Sequence, residues 1–144
     1  MNEMKSKSIA VFVVILAVFW SIDRATKLFA LAYLPPQIHG FHPFIVYRNY
    51  GIAFGILKDN PSVVIFLTLL GTGLLFFAIA RYREALLTPW GALLLAGVLG
   101  NLADRLIYGY VIDWIHVVYY INLADIWLCV GVLMSLKHFS RYVK

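Results

Sequence analysis

The sequence predicts an all-α membrane protein: one domain, residues 1–144, built on four transmembrane helices. Three observations lead there. The chain is 62% hydrophobic and only 13% charged, with a mean hydropathy of +0.84, which excludes disordered and ordinary water-soluble classes. Four apolar stretches have about the length that crosses a hydrocarbon core. The unusual polar residues collect near the ends of those stretches. Lipid accepts only backbones that satisfy their own hydrogen bonds, so the stretches are read as helices.

The spans are expected at 8–34, 62–80, 86–105 and 119–137. Lys5 and Lys7 precede the first as in a secretory signal, but no small-x-small cleavage pattern follows, so a retained helix is expected. Asp23, Arg24 and Lys27 interrupt its far end. The second is uncharged throughout. The third starts after Thr88-Pro89, which reads as an N-cap and a first-turn proline. The fourth contains Asp125. The connection 35–61 is rich in aromatic and β-branched residues, which predicts short strands around a bend at Asn49–Gly51, on the membrane surface or over a site. The other long connection is 106–118.

Lys5, Lys7, Arg81, Arg83, Lys137, Arg141 and Lys144 fall on one side of a four-span chain. Arg24, Lys27, Arg48, Lys58 and Arg105 fall on the other. The excess predicts both termini in the cytoplasm. Asp23, Lys27, Asn49, Asn101, Asp104, Arg105, Asp113, Asn122 and Asp125 then meet at the outer face. The net charge of +5 fits topology and lipid headgroups. No basic patch interleaves with aromatics, so nucleic acid is not expected as a partner. Cys129 has no pairing partner. His39, His42, His116 and His138 lack metal-ligand spacing. The tryptophans at 20, 90, 114 and 127 fit interfacial belts or helix packing.

Asp113 and Asp125 are the most informative residues. A charge at membrane depth costs on the order of 2.5–3.5 kcal/mol, so it marks function by default. Two neighbouring carboxylates share one proton, and the pair can activate a water and polarise a carbonyl. Asp104, beside Arg105 and one turn from Asn101, reads as ionised and structural. Asp23 and Lys27, four apart on one face, read as a pair bracing the first helix. Two other readings stay open on residue types alone. The acids can form buried ion pairs with Arg24, Lys27 and Arg105 in a non-catalytic protein that binds lipid or lipoprotein. Alternatively, Asp104, Asp113 and Asp125 can hold Mg²⁺ in a lipid phosphotransferase, although the Asp-Gly and Ala-Arg pattern of such enzymes is absent near them.

Four ordered motifs carry a resemblance: Asp23-Arg-Ala-Thr-Lys27; Asn49-Tyr-Gly-Ile-Ala-Phe-Gly55; Gly100-Asn-Leu-Ala-Asp-Arg105 leading into Val111-Ile-Asp-Trp114; and Asn122-Leu-Ala-Asp125. With them the chain resembles the lipoprotein signal peptidases, the signal peptidase II family, over nearly its whole length. The resemblance implies four transmembrane helices with a small extracytoplasmic β-like cradle. It implies an aspartyl endopeptidase of the bacterial inner membrane that needs no cofactor. Its partners would be lipidated prolipoprotein signal peptides and membrane lipid, and a monomer is expected. The catalytic pair falls on Asp113 and Asp125. Asn49, Gly51, Asn101, Arg105 and Asn122 match residues that line or brace the family's site, and Asp23, Lys27 and Asp104 match its supporting positions. The chain departs from the family in its short interval 114–124, and Ile121 stands where a Phe is usual.

Overall fold

A computed structural model describes residues 2–36, 40–52 and 56–140, with side chains from residue 6 onward. His39, Ala53-Phe54-Gly55, Arg141, Lys144 and the side chain of Lys5, all named above, lie outside the described residues. The elements are α1 (Asn2–Tyr33), β1 (Phe44–Asn49), α2 (Pro61–Arg81), α3 (Arg83–Leu86), α4 (Pro89–Tyr108), β2 (Val111–His116), β3 (Tyr120–Ile121) and α5 (Leu123–Phe139).

Three of the helices are long and apolar enough to cross a membrane: residues 6–33 of α1, α2 and α4. Their burial differs sharply. Only 11% of the apolar window is buried in α1 and in α2, against 61% in α4. α4 is therefore the hub, with α1, α2 and α5 packed around it. Its sequence explains this. Gly91, Ala92, Ala96, Gly97 and Gly100 are all buried and keep its surface low enough for backbones to approach. A Cβ on Gly97 would lie 2.8 Å from the Leu128 nitrogen, and one on Gly131 would lie 2.5 Å from that of Leu94. These glycines set the closeness of α4 to α5. The exposed apolar side chains of α1 and α2, such as Val14, Phe29, Phe66 and Phe77, form the outer surface.

Element boundaries shift from those expected, each for a local reason. The third helix is Pro89–Tyr108 rather than 86–105. Thr88 accepts the Gly91 N–H at 3.2 Å and starts it, and Gly109 at φ 79° ends it in the left-handed region that glycine tolerates. Residues 83–86 form the separate turn α3. The first helix begins before residue 8. The last helix starts at Leu123, not at 119, because Tyr120–Ile121 pair with β2 and Asn122 caps the helix.

The strands also differ from expectation. Residues 53–55, just past the bend, lie outside the described residues, and β1 runs up to that bend at Asn49–Gly51. It pairs antiparallel with β2 from the other long connection, with Tyr47 opposite Asp113 and Asn49 opposite Val111. β3 extends the sheet in the order β1-β2-β3, with His116 opposite Tyr120. The Val-Ile-Asp-Trp-Ile-His run that forms β2 is β-branched and aromatic, a signal overlooked beside the longer apolar spans. Pairing two distant connections fastens Asp113 to the segment that carries Asn49.

Candidate active site

The site forms where α1, α4, α5 and the sheet meet. Asp23 and Lys27 come from α1. Asn101, Asp104 and Arg105 come from the last turns of α4. Asn49 ends β1, Asp113 sits in the middle of β2, and Asn122 and Asp125 open α5. Asp23, Lys27, Asp104, Asp113 and Asn122 are all buried.

Two kinds of carboxylate emerge. Asp23 and Asp104 take the cations: Lys27 Nζ lies 3.0 Å from Asp23 Oδ2 and 2.8 Å from Asp104 Oδ2, and Arg24 pairs with Asp104 as well. Each also accepts a backbone N–H. Ala124 donates to Asp23 at 3.0 Å and Ile112 donates to Asp104 at 3.1 Å. Asp113 and Asp125 meet amides instead. Asn49 and Asn122 donate their side-chain N–H to Asp113 at 2.9 and 2.6 Å. Asn101 donates to Asp125 at 2.8 Å, and the Asn122 backbone N–H donates at 2.9 Å. Among the described residues the ion pairs of the site stop at Asp23 and Asp104. The reading in which all four acids are neutralised by bases thus holds for only two of them. The reading of Asp104 as braced by Arg105 and Asn101 is also corrected, since its partners are Arg24, Lys27 and the start of β2. The proposed three-carboxylate metal set is not assembled: Asp104 is turned to its cations, and the described residues contain no cluster of three metal-ligating side chains.

The amides have fixed orientations. Asn101 Oδ1 accepts from Lys27 at 3.1 Å and from Asn122 at 3.2 Å, which leaves its NH₂ to donate to Asp125. Asn122 Oδ1 accepts the Asp125 N–H at 3.1 Å and Asp125 caps back, a reciprocal capping box at the start of α5. Asn122 therefore touches both Asp113 and Asp125. Asn49 Oδ1 accepts the Gly51 N–H at 3.0 Å, which holds the bend and aims its NH₂ at Asp113. Arg105 spans from α4 to that bend, donating to Gly51 O at 2.8 Å and to Asn101 O at 3.3 Å. All ten residues singled out in the sequence thus join one connected network.

Burial, and after it the negative charge of Asp125, pushes Asp113 up to about 7 against the pull of Asn49, Asn122 and Lys27. At neutral pH Asp113 is poised between acid and carboxylate. An acid that can give or take a proton, joined through one amide to a second acid at a helix N-terminus, can perform general acid–base chemistry. Sequence reasoning missed the backbone N–H groups of Ile112 and Ala124, which no side-chain pattern announces. It named Gly100 within a motif but not its part in the packing, where a Cβ would stand 2.6 Å from Asp23 Oδ2.

Comparison with known proteins agrees with the geometry. Residues 14–140 match the model of the family described as signal peptidase (SPase) II. The chain is 34% identical over 141 residues to a lipoprotein signal peptidase of Chromobacterium violaceum, covering 83% of this chain and 87% of that one. It is 36% identical over 128 residues to one of Clostridium novyi, covering 78% and 86%, and 40% identical over 115 residues to one of Thermodesulfovibrio yellowstonii, covering 75% and 72%. In fold it is similar to a solved bacterial membrane enzyme, with a TM-score of 0.75 at 23% identity over 94% of this chain and 90% of that chain. The chain therefore belongs to the signal peptidase II family of aspartic peptidases, and it is a bacterial membrane protein.

Proposed function

We propose that this protein is an intramembrane endopeptidase that removes the signal peptide from prolipoproteins, cleaving before the diacylglyceryl-modified cysteine, with Asp113 and Asp125 as its catalytic pair. The observation that carries this reading is the division of labour among the acids. Among the described residues the ion pairs of the site fall on Asp23 and Asp104, and Asp113 and Asp125 meet amides and are joined through Asn122.

Asp113, buried and flanked by two amide donors, holds the shared proton. Asp125, at the N-terminus of α5, bears the charge, which the helix end favours. Asp125 takes a proton from a water whose oxygen attacks the scissile carbonyl, while Asp113 gives its proton to the carbonyl oxygen. When the tetrahedral diol collapses, the leaving nitrogen receives the proton held by Asp125. Asp113 regains its own from the diol hydroxyl that becomes the new carboxyl group. Asn49, Gly51, Asn101, Arg105 and Asn122 support and orient the pair.

We read α5 as the fourth span. Its 17 residues reach about 26 Å at 1.5 Å per residue, enough for a slightly thinned core. Both termini then lie in the cytoplasm and the site lies at the outer face of the inner membrane. The lipid chains of the substrate rest on the apolar helix surface, and one copy of the chain holds the complete site.

The test is purified Asp113→Asn and Asp125→Asn protein given a lipidated precursor, with thermal unfolding measured in parallel. Loss of cleavage in both, with folding retained, is expected. Cleavage by either variant overturns the assignment.

A further inference from the structure

The turn of the β2–β3 hairpin is apolar and exposed. Between Asp113 and Asn122 the chain has no Asp, Glu, Lys or Arg. Its three-residue tip, Val117-Val118-Tyr119, turns tightly, with the Val117 N–H donating to Tyr119 O at 3.2 Å. The tip side chains are 61%, 79% and 55% exposed. Phe41, 68% exposed, joins them: its ring lies 5.0 Å from that of His116, at the hairpin's base. Behind the tip the hairpin is held by ring stacking. The rings of Tyr47, Tyr120 and His116 stack in sequence at 4.3 Å spacings, and His116 is held to His42 O at 3.2 Å.

We propose that this tip is a lipid-inserting anchor, seated in the leaflet at the site's end of the bundle. The occupant follows from three features. A run of exposed valines with no charged residue suits hydrocarbon and not water. A tyrosine at its edge suits the headgroup boundary. The hairpin also runs without a linker, through Asn122, into α5, which exposes apolar side chains of its own at Val130, Leu133 and Leu136. The consequence is positional. Asp113 lies on one arm of the hairpin and Asp125 follows the other, so a seated tip fixes the depth of both acids at the boundary where a lipid-modified residue presents its peptide bond. The inference rests on reading the helices as membrane spans, and its test reads that separately.

The test places a nitroxide label on cysteine variants of the full chain in phospholipid vesicles. Cys129, which is exposed, is first replaced in Cys129→Ser. The labelled positions are Val118→Cys at the tip, Leu70→Cys within α2 as the lipid reference and Asp59→Cys in the turn 56–59 as the water reference. Relaxation by dissolved O₂ and by a water-soluble nickel chelate reports depth. The expected result is that residue 118 shifts to the O₂-favouring behaviour of residue 70. Relaxation like that of residue 59 overturns the anchor. Protection of residue 118 from both relaxants puts a protein over the tip and also overturns it. A label at residue 70 that reads as water-exposed sinks the spanning reading itself, whatever residue 118 shows.

Discussion

Asp23 and Asp104 perform the same task, each one residue before a candidate catalytic acid. Asp23 accepts the N–H of Ala124, and Asp125 follows; Asp104 accepts the N–H of Ile112, and Asp113 follows. Lys27 lies between the two acceptors, 3.0 and 2.8 Å from them. One buried ammonium thus ties the strand bearing Asp113 to the helix bearing Asp125, and it also orients Asn101 toward Asp125. The ion-paired acids act on the backbone, and the amide-bound acids are left for chemistry.

Lys27→Met keeps the length of the side chain and removes its charge. Asp23 and Asp104, both fully buried, would keep their backbone N–H donors, but among the described residues the remaining cation would be Arg24, on Asp104. Breaking a buried network by removing one partner costs about 3–5 kcal/mol. The expected result is a large fall in Tm in detergent, greater than that of Arg24→Gln at the partly exposed edge of the network. Equal or negligible falls in both variants would refute the keystone role of Lys27.

The pH dependence has a definite sign. The folded protein binds the Asp113 proton more tightly than the unfolded chain does, with values of about 7 and 3.8. Folding stability from this group is full below 3.8 and declines as pH rises toward 7, by at most roughly 4 kcal/mol at 1.36 kcal/mol per unit. Asp113→Asn removes the decline, so its stability relative to the parent should rise between those limits and level off above about 7. Cleavage that needs the Asp113 proton should fall above the same point. A stability difference that stays flat with pH would contradict this.

Gly97 and Gly100 should not tolerate a methyl group. At Gly100 the new Cβ meets Asp23 Oδ2 at 2.6 Å and the Ala124 Cβ at 3.1 Å; at Gly97 it meets α5 backbone. Overpacking of this kind costs about 1–3 kcal/mol, and Gly97→Ala should cost more because backbone cannot rotate away. Gly73→Ala faces open space and serves as the neutral control in the same thermal series.

Asn122→Asp separates capping from chemistry. A carboxylate still accepts the Asp125 N–H and starts α5, but it cannot donate to Asp113. Activity should fall by about 10²-fold or more, the scale seen when one aligned donor is lost from an active site. Asn122→Ala should in addition lose about 1 kcal/mol of helix stability. Comparing cleavage rate with helix content by circular dichroism checks both.

Much was legible in the chain itself. Mean hydropathy and uninterrupted apolar runs fixed the membrane class, because lipid leaves helices few alternatives. The expense of a carboxylate at membrane depth pointed to Asp113 and Asp125, and the ordered motifs named their companions. Thr88-Pro89 marked a helix start through local chemistry. The partners of each acid were decided by tertiary structure alone. In sequence Asp104 adjoins Arg105, yet its ions come from Arg24 and Lys27 some eighty residues away. β1 found a partner, β2, in the other long connection. Periodicity and propensity report what a residue prefers within about one turn of its neighbours. Which cation reaches which acid depends on how closely α4 lets α1 and α5 approach, and that is set by glycines whose contacts appear only once the helices are packed.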